Sequence, residues 1–322
     1  MRLLTACALA IGAIVSTVTA SAHAAYPEQP IRLVLGYTPG GSVDAVARVI
    51  APKLSSLLGE SVVVDYRPGA AGIIGARYVA GAAPDGYTLH LVESATLVVL
   101  PELQDTGYDP QKSFTPISTL AAAGFVIAAN PQVPAKSLEE LSELVKASPG
   151  KFHYATSGVG SVGHVGMEML QLQKGLKAVH VPYKGGGPAI SDVIGGQVPL
   201  IISSMAPAIP QINAGTIKPI AMTSLKRSSA LPEVPTVAEQ GTPDFEALAW
   251  YGLVGPANMP ADVVETISTA VEKVMKDDEV REALKVQGFE AVGDSAQELD
   301  NRIKQDLEKW KSVIADASIT LQ

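Results

Sequence analysis

An apolar run, a glycine-rich turn and a helical pattern follow one another without a gap near the start of the chain. The run from Ile31 to Leu35 is typical of a buried strand, and residues 36–44 read Gly-Tyr-Thr-Pro-Gly-Gly-Ser-Val-Asp. From Val43 to Leu58 the apolar residues recur on one helical face. Such a unit leaves backbone N–H groups bare at the helix start, where glycines let a ligand approach the main chain. The turn therefore predicts an anion-binding site, and it contains no nucleophile paired with a base.

Two side chains are expected to stabilise the start of this helix. Ser42 is the predicted N-cap, and Asp44 lies in the first turn, where the helix dipole favours an acid. We expect Asp44 to brace its own turn through hydrogen bonds. The alternative is that Asp44 contacts an amine of the ligand. Further along, Pro52 predicts a kink or a break between Arg48 and Lys53, because proline removes a backbone donor and crowds the preceding turn.

Strand, turn and helix patterns alternate along the rest of the chain, which predicts an α/β fold of parallel strands covered by helices. Glycine or small-residue turns follow the predicted strands at 67–72, 94–96, 157–163 and 183–187. Ligands of open α/β sheets bind at the carboxyl ends of the strands, where these turns lie. Two groups of such units, divided near residue 124, indicate two lobes whose turns line one cleft.

The first 24 residues have the pattern of a secretory signal peptide. Arg2 is followed by a mostly apolar stretch, and Ala22-His23-Ala24 fits the small-x-small cleavage pattern. Residues 4–7 resemble a lipoprotein cleavage box, but no apolar region precedes Cys7, so an ordinary secretory signal is the favoured interpretation. Cys7 is the one cysteine of the chain, and its removal leaves neither a disulfide nor a thiolate metal site. We therefore expect a protein of the periplasm.

Composition and motifs argue against several classes of protein. The chain carries 24 Lys and Arg against 32 Asp and Glu, a formal charge of −8, without a basic cluster, so nucleic acid is not an expected partner. Beyond Ala25 no apolar run approaches the roughly 18 residues of a membrane span. The histidines show no metal-ligand spacing, and no Gly-x-Ser-x-Gly motif occurs. We expect no metal, no cofactor and no hydrolase activity.

A dinucleotide fingerprint is present but weak. Gly158-x-Gly160-x-x-Gly163 lies between a predicted strand and a predicted helix, as in nicotinamide enzymes. The next strand end, 179–183, lacks the acid that would hold a ribose, and export also argues against this cofactor. His164, which follows the motif, is expected to be a helix-start histidine hydrogen-bonded to backbone. A role as a ligand or a base is the alternative for this side chain.

Short motifs follow one another in a specific order through nearly the whole chain beyond residue 25. They include Pro39-Gly-Gly-x-x-Asp44, Arg67-Pro-Gly-Ala70, Pro84-Asp-Gly-Tyr-Thr-Leu89, His180-Val-Pro-Tyr-Lys-Gly185 and Leu231-Pro-x-Val-Pro-Thr236. Together they resemble the Bug-type receptors, which are the solute-binding components of tripartite tricarboxylate transporters. The resemblance implies a type II periplasmic-binding-protein fold, with two lobes around a central cleft that closes over a small carboxylate.

The resemblance also implies an organisation and a function. The expected parts are a signal peptide over 1–24, a first lobe over 25–124 and 247–322, and a second lobe over 125–246, with chain crossings near 123–129 and 247–255. The expected function is that of an extracytoplasmic solute receptor, a monomer, that delivers a carboxylate to integral membrane transporter subunits. An exported enzyme of the same fold and a ligand-presenting partner of a membrane sensor protein are the alternatives.

The predicted ligand site lies at the strand ends of both lobes. In the family, one ligand carboxylate is held by backbone groups and waters, which carries over to 39–42 and 157–161. For Tyr183 two roles are possible: its side chain forms part of the pocket wall, or it packs between the lobes. Departures from the family pattern at Tyr66, 94–101 and 203–206 put the identity of the ligand in doubt. The predicted ligand-binding residues are Tyr37, Thr38, Gly40, Gly41, Ser42, Ser94, Thr96, Ser157, Gly158, Gly160, Ser161, Tyr183, Ser203 and Ser204.

Overall fold

The computed structural model describes residues 26–321, so the predicted signal peptide and Cys7 lie outside the described residues. The first part of the chain forms three parallel strands with helices between them. Its elements are β1 (Ile31–Leu35), α1 (Ser42–Leu58), β2 (Val62–Tyr66), a 3-10 turn (Ala70–Gly72), α2 (Ile73–Ala80), β3 (Thr88–Glu93), α3 (Ser94–Val98) and α4 (Leu100–Leu103). β1 lies between β2 and β3; the apolar runs of β1 and β3 are buried, whereas β2 is a partly exposed edge strand.

The middle of the chain forms a second set of strands and helices. Its elements are β4 (Phe114–Ala129), α5 (Leu138–Ala147), β5 (His153–Thr156), α6 (Val162–Lys174), β6 (Val179–Pro182), α7 (Gly186–Ile194), β7 (Leu200–Ser204), α8 (Met205–Asn213) and β8 (Lys218–Met222). β5 pairs in parallel with β6 and β7, while β7 and β8 both pair antiparallel with β4.

The chain then returns to the first set of strands. The remaining elements are β9 (Leu248–Pro256), α9 (Ala261–Lys276), α10 (Asp278–Lys285), β10 (Glu290–Ala291) and α11 (Ala296–Asp316). The strand order is β2-β1-β3-β9-β4-β7-β5-β6, with β8 and β10 also paired to β4. We call β1, β2, β3, β9 and β10, together with residues 114–124 of β4, the first sheet. Residues 125–129 of β4 and strands β5 to β8 form the second sheet.

One long strand joins the two sheets. β4 pairs with β9 as far as Gly124, which lies opposite Leu248, and from Phe125 onward it pairs with β7. We call residues 124–125 and 247–248 the crossing. The sequence predicts the second half of β4 but not its first half, where Pro116 interrupts the pattern. Pro116 lies beside a register irregularity, as expected for a proline in a paired strand.

Two expectations for α1 need correction. The N-cap is Gly41, not Ser42, which is the first residue of the helix, and no side chain caps it. The helix also continues through Pro52 to Leu58, so the predicted break does not occur, while a kink there stays a prediction; Gly59 in the left-handed conformation ends the helix. By contrast, Ser295 and Glu298 form the predicted capping box at the start of α11.

Candidate functional site

The carboxyl ends of strands from both sheets meet at the crossing. Glu93, the last residue of β3, pairs with Tyr251 of β9. Ser204, the last residue of β7, pairs with Phe125, the first residue of β4 in the second sheet. Because β1 runs parallel to β3, and β5 runs parallel to β7, the turns after these strands also lie on the sides that face each other across the crossing. The strand ends that carry the predicted turns therefore meet at the crossing, and a ligand cleft lined by these turns stays a prediction.

Bare backbone donors mark the start of α1. Thr38 and Gly40 are exposed, and Gly41 and Ser42 are partly exposed. Among residues 26–321, no protein acceptor pairs with the backbone N–H of Gly41, Ser42 or Val43. Donors at a helix N-terminus combine hydrogen bonding with the positive end of the helix dipole. This is an arrangement that can hold a carboxylate oxygen.

The Asp44 carboxylate holds this turn in place. Its Oδ2 accepts hydrogen bonds from the backbone N–H of Gly40 (2.8 Å) and from Nε of Arg48 (2.9 Å). Its Oδ1 accepts from the Tyr66 hydroxyl at 2.5 Å. Burial raises the pKa of Asp44, but the three hydrogen bonds together outweigh it and hold the pKa below its usual value. These contacts confirm that Asp44 braces its own turn, and they occupy the hydroxyl of Tyr66.

The side chains of Tyr37 and Thr96 lie beside the turn and are held by hydrogen bonds to one carbonyl. The Tyr37 hydroxyl donates to the carbonyl of Ala71 (2.9 Å), and Thr96 Oγ1 donates to the same oxygen (3.1 Å). Gly72 packs against both side chains, since a Cβ there would lie 2.6 Å from Thr96 Oγ1. Thr96 and Ser94 are buried, and Ser94 Oγ accepts a hydrogen bond from the backbone N–H of Trp250 at 3.4 Å. In this conformation both hydroxyls are covered, and their contact with a ligand stays a prediction.

The turn after β5 faces the first sheet. Ser157 is exposed, and Ser161 caps α6 by accepting the His164 N–H at 3.2 Å. Ser161 Oγ also donates to the Gly158 carbonyl at 2.8 Å, which closes the turn. Gly160 has a φ of +75°, and a Cβ there would lie 2.6 Å from Leu100 Cδ2 of α4. The turn is therefore built of glycines partly because it lies directly against the other sheet's helices.

Two histidines lie behind this turn. Nδ1 of His164 accepts the backbone N–H of Gly160 at 3.3 Å, which confirms the expected hydrogen bond to backbone. Nε2 of His180 lies 2.7 Å from Thr156 Oγ1. Burial lowers the pKa of His164 to about 4, and burial followed by the charge of His164 lowers that of His180 to about 3. Both rings are therefore neutral at physiological pH.

The remaining predicted residues belong to the second sheet. Tyr183 is half-buried against the second sheet's own apolar cluster, and its hydroxyl donates to Asp192 Oδ2 at 2.7 Å. Ser203 is buried, and its hydroxyl donates to the carbonyl of Ser204 at 3.1 Å. Ser204 is partly exposed at the start of α8, and its side chain forms no capping bond. Of these three, Ser204 is the side chain most available to a ligand.

Two residues of this region are absent from the sequence-based site. Glu93 is half-buried where β3 ends, beside the hydroxyl of Tyr37. Thr223 follows β8 and is fully buried, and its hydroxyl bridges the two strands of the crossing. An acid directly after a predicted strand was a visible signal for Glu93. No local pattern marks Thr223, because its partners, Phe125 and Ala247, are distant in sequence.

Residues 26–321 contain neither a candidate metal centre nor a candidate membrane span. No group of three His, Cys, Asp or Glu side chains is close enough to hold a metal ion. No helix in this part of the chain combines the length and the apolar character that crossing a bilayer requires.

Comparison with known proteins identifies the family. The sequence profile of the tripartite tricarboxylate transporter family receptors (TctC) matches residues 46–319. The chain belongs to this family. BugT of Bordetella pertussis, a curated relative, is 33% identical over 299 residues, which is 92% of each protein.

Solved structures of receptors share the fold. The periplasmic binding protein BugD is 34% identical, with a TM-score of 0.83 over 92% of this chain and all of that one. R. palustris Rpa4515, solved with adipate, is 32% identical, with a TM-score of 0.86 over 92% of this chain and 99% of its own. MatC from Rhodopseudomonas palustris, with bound malate, is 29% identical, with a TM-score of 0.82 over 90% of this chain and all of its own. The predicted periplasmic-binding-protein fold is thus confirmed.

Proposed function

We propose that this receptor binds a small organic carboxylate in the cleft at the crossing and delivers it to integral membrane transporter subunits from the periplasm. The observation that carries the proposal is the set of unpaired N–H groups at Gly41, Ser42 and Val43, where α1 begins. The adipate and malate held by two relatives are ligands of the same chemical class.

Backbone donors suit a receptor that must release its ligand. No lysine or arginine occurs in 36–44 or 157–161, so the ligand's charge is balanced by peptide dipoles and water. The remote end of the ligand is expected to contact Tyr37, Tyr183 and Ser204. Of the fourteen predicted site residues, those in the two glycine turns carry the carboxylate, and the others set which acids fit.

The first experiment is a thermal-shift screen of adipate, malate, succinate and benzoate. A ligand at about 100 times its dissociation constant adds roughly 2.7 kcal/mol to stability. Gly41→Val is expected to abolish binding of every acid. The valine fits the fold, because φ at Gly41 is −91° and the nearest atom to its Cβ is Thr38 O at 3.9 Å, but its branches cover the N–H groups.

Gly81→Val is the matched control. Gly81 is exposed after α2 with a φ of −95°, and its Cβ would lie 3.6 Å from Arg77 O. The Gly81→Val variant should bind the ligand with the affinity of the wild type. If Gly41→Val folds and binds with unchanged affinity, the anion site is wrong.

We further propose that the protein is not an enzyme, in keeping with a family of solute receptors. The closest pairing of a hydroxyl with a histidine in the site, Thr156 with His180, is buried on the threonine side and so cannot reach a ligand in the cleft. The acid should be recovered unchanged after prolonged incubation. X-ray scattering should show a smaller radius of gyration at saturation, because the lobes close by hinge motion. Conversion of the acid would favour the enzyme alternative.

A further inference from the structure

A carboxyl group lies close to the donors that the ligand is proposed to use. Glu93 is the residue between β3 and α3, and its side chain lies beside the Tyr37 hydroxyl. Tyr251 pairs with Glu93 across β3 and β9, and its pKa is raised by burial and then by the charge of Glu93. The Tyr251 hydroxyl in turn contacts the side chain of Ser42, the first residue of α1. One tyrosine thus separates Glu93 from the bare helix start.

No cation neutralises Glu93. It takes part in none of the ion pairs found among residues 26–321. The titratable groups that face it are phenols, Tyr37 from the turn after β1 and Tyr251 from β9, with Tyr108 behind Tyr37. Burial raises the pKa of all three phenols, so they stay neutral.

The hydrogen-bond inventory leaves Glu93 short of donors. The single hydroxyl hydrogen of Tyr37 is directed to the carbonyl of Ala71 at 2.9 Å. Glu93 also forms no capping bond to the start of α3. Burial raises the pKa of Glu93 to about 7, and the Tyr37 hydroxyl, whose one hydrogen is shared with the Ala71 carbonyl, opposes the rise only in part. A proton on the carboxyl would let it donate, either to the oxygen of Tyr37 or to a ligand.

A ligand carboxylate at Gly41 and Ser42 would be a like charge beside an ionised Glu93, and two adjacent carboxylates favour protonation of one of them. We propose that Glu93 contacts the ligand as a neutral carboxylic acid, that it donates a hydrogen bond to a ligand carboxylate oxygen, and that binding takes up one proton. This inference rests on the proposed function. It makes Glu93 a specificity-determining residue for acids whose carboxylate can accept this bond.

The sign of the pH dependence follows from the two states of Glu93. Binding raises the pKa of Glu93. The affinity for the ligand is therefore constant below about pH 7, where free Glu93 is already neutral. Above that pH the affinity falls by about tenfold per pH unit, until the pH reaches the pKa of Glu93 in the complex. Proton uptake is about one per ligand at pH 8 and about a tenth at pH 6. Glu93→Gln keeps a donor at the same place without a charge. Its affinity should not change between pH 6 and pH 8.5, and at pH 8 should exceed that of the wild type.

The experiment is isothermal titration calorimetry of the full mature chain with adipate, malate and benzoate. Titrations at pH 8 in HEPES and in Tris, which differ in ionisation enthalpy, give the number of protons taken up. Glu143→Gln, which removes an exposed acid from α5, is the control and should behave as the wild type. A wild type that takes up about one proton and a Glu93→Gln variant that takes up none support the inference.

The failures are distinguishable. Binding by the wild type without proton uptake at pH 8, or the same pH dependence in Glu93→Gln, overturns the role of Glu93 and leaves the receptor function standing. Loss of affinity in Glu93→Gln at pH 6, where both side chains are neutral, also overturns it. Failure of wild type and variant to bind any of the three acids overturns the proposed function, and the role of Glu93 with it.

Discussion

The rings of His164 and His180 stack with their centroids 3.8 Å apart and their planes 16° from parallel. His164 belongs to α6, the helix that follows the turn 157–161, and His180 belongs to β6, so the pair joins this helix to the strand beside β5. Tyr154 extends the stack from the other side of His180, at 5.1 Å. Two charged imidazoles could not remain in this contact, and the turn therefore depends on both rings being neutral.

We expect the pair to make folding stability fall in acid. Both pKa values lie below the unfolded value near 6.5, so the unfolded chain binds protons that the folded protein excludes. Stability is complete above pH 6.5 and falls as the pH drops toward 4, by about 1.4 kcal/mol per pH unit for each histidine. Urea denaturation at several pH values measures it. His180→Phe keeps the stacking but removes one of the two titrating rings, so it should reduce the dependence by about half, whereas His153→Phe, on the exposed end of β5, should leave it unchanged.

A second prediction concerns the brace on the first turn. Tyr66→Phe removes the hydrogen bond to the Asp44 carboxylate, which should lower the free energy of unfolding by about 1.5–3 kcal/mol. It should also weaken ligand binding, because the turn that carries Gly41 is less well fixed. Tyr87→Phe is the matched control, since the Tyr87 hydroxyl accepts the N–H of Glu28 away from the cleft. Equal effects of the two substitutions on affinity, measured by calorimetry, would contradict a role for the brace in binding.

Local patterns were sufficient for much of this structure. The strand, glycine turn and helix at 31–58 are found where periodicity and turn chemistry predict them. Each of these elements buries one face that is visible in its own sequence. The same is true of the turn at 157–161, whose glycines are required by positive φ and close packing.

What the sequence did not reveal depends on distant partners. The first half of β4 reads as a loop because of Pro116, yet it is a strand because β9 pairs with it. α8 contains Pro210, which weakens its helical pattern, and packs against β4 and β7. Thr223 gains its role only when Phe125 and Ala247 are brought to either side of it. The predicted strand ends therefore meet at the crossing, but the sequence did not identify the groups that hold the crossing together.

Thr223 supplies the third prediction. Its Oγ1 accepts the N–H of Phe125 at 2.7 Å and donates to the carbonyl of Ala247 at 2.6 Å, so one hydroxyl ties both strands of the crossing. Thr223→Val should lower the free energy of unfolding by about 2 kcal/mol or more, because two buried backbone groups lose their partner. Thr119→Val is the control. Thr119 is equally buried on β4, but its hydroxyl has no partner among the described residues, so its loss should be neutral or stabilising.

The last prediction separates selectivity from stability at two helix starts. Ser204 precedes α8 without a capping bond, whereas Ser161 caps α6 through the His164 N–H. Ser204→Ala should therefore leave the free energy of unfolding nearly unchanged but alter the order of affinities among adipate, malate and benzoate, since its hydroxyl is free to meet a ligand. Ser161→Ala should instead cost about 1 kcal/mol of stability. Denaturation and calorimetry of both variants test this. A destabilised Ser204→Ala with an unchanged ranking of acids would mean that Ser204 supports the fold and does not face the ligand.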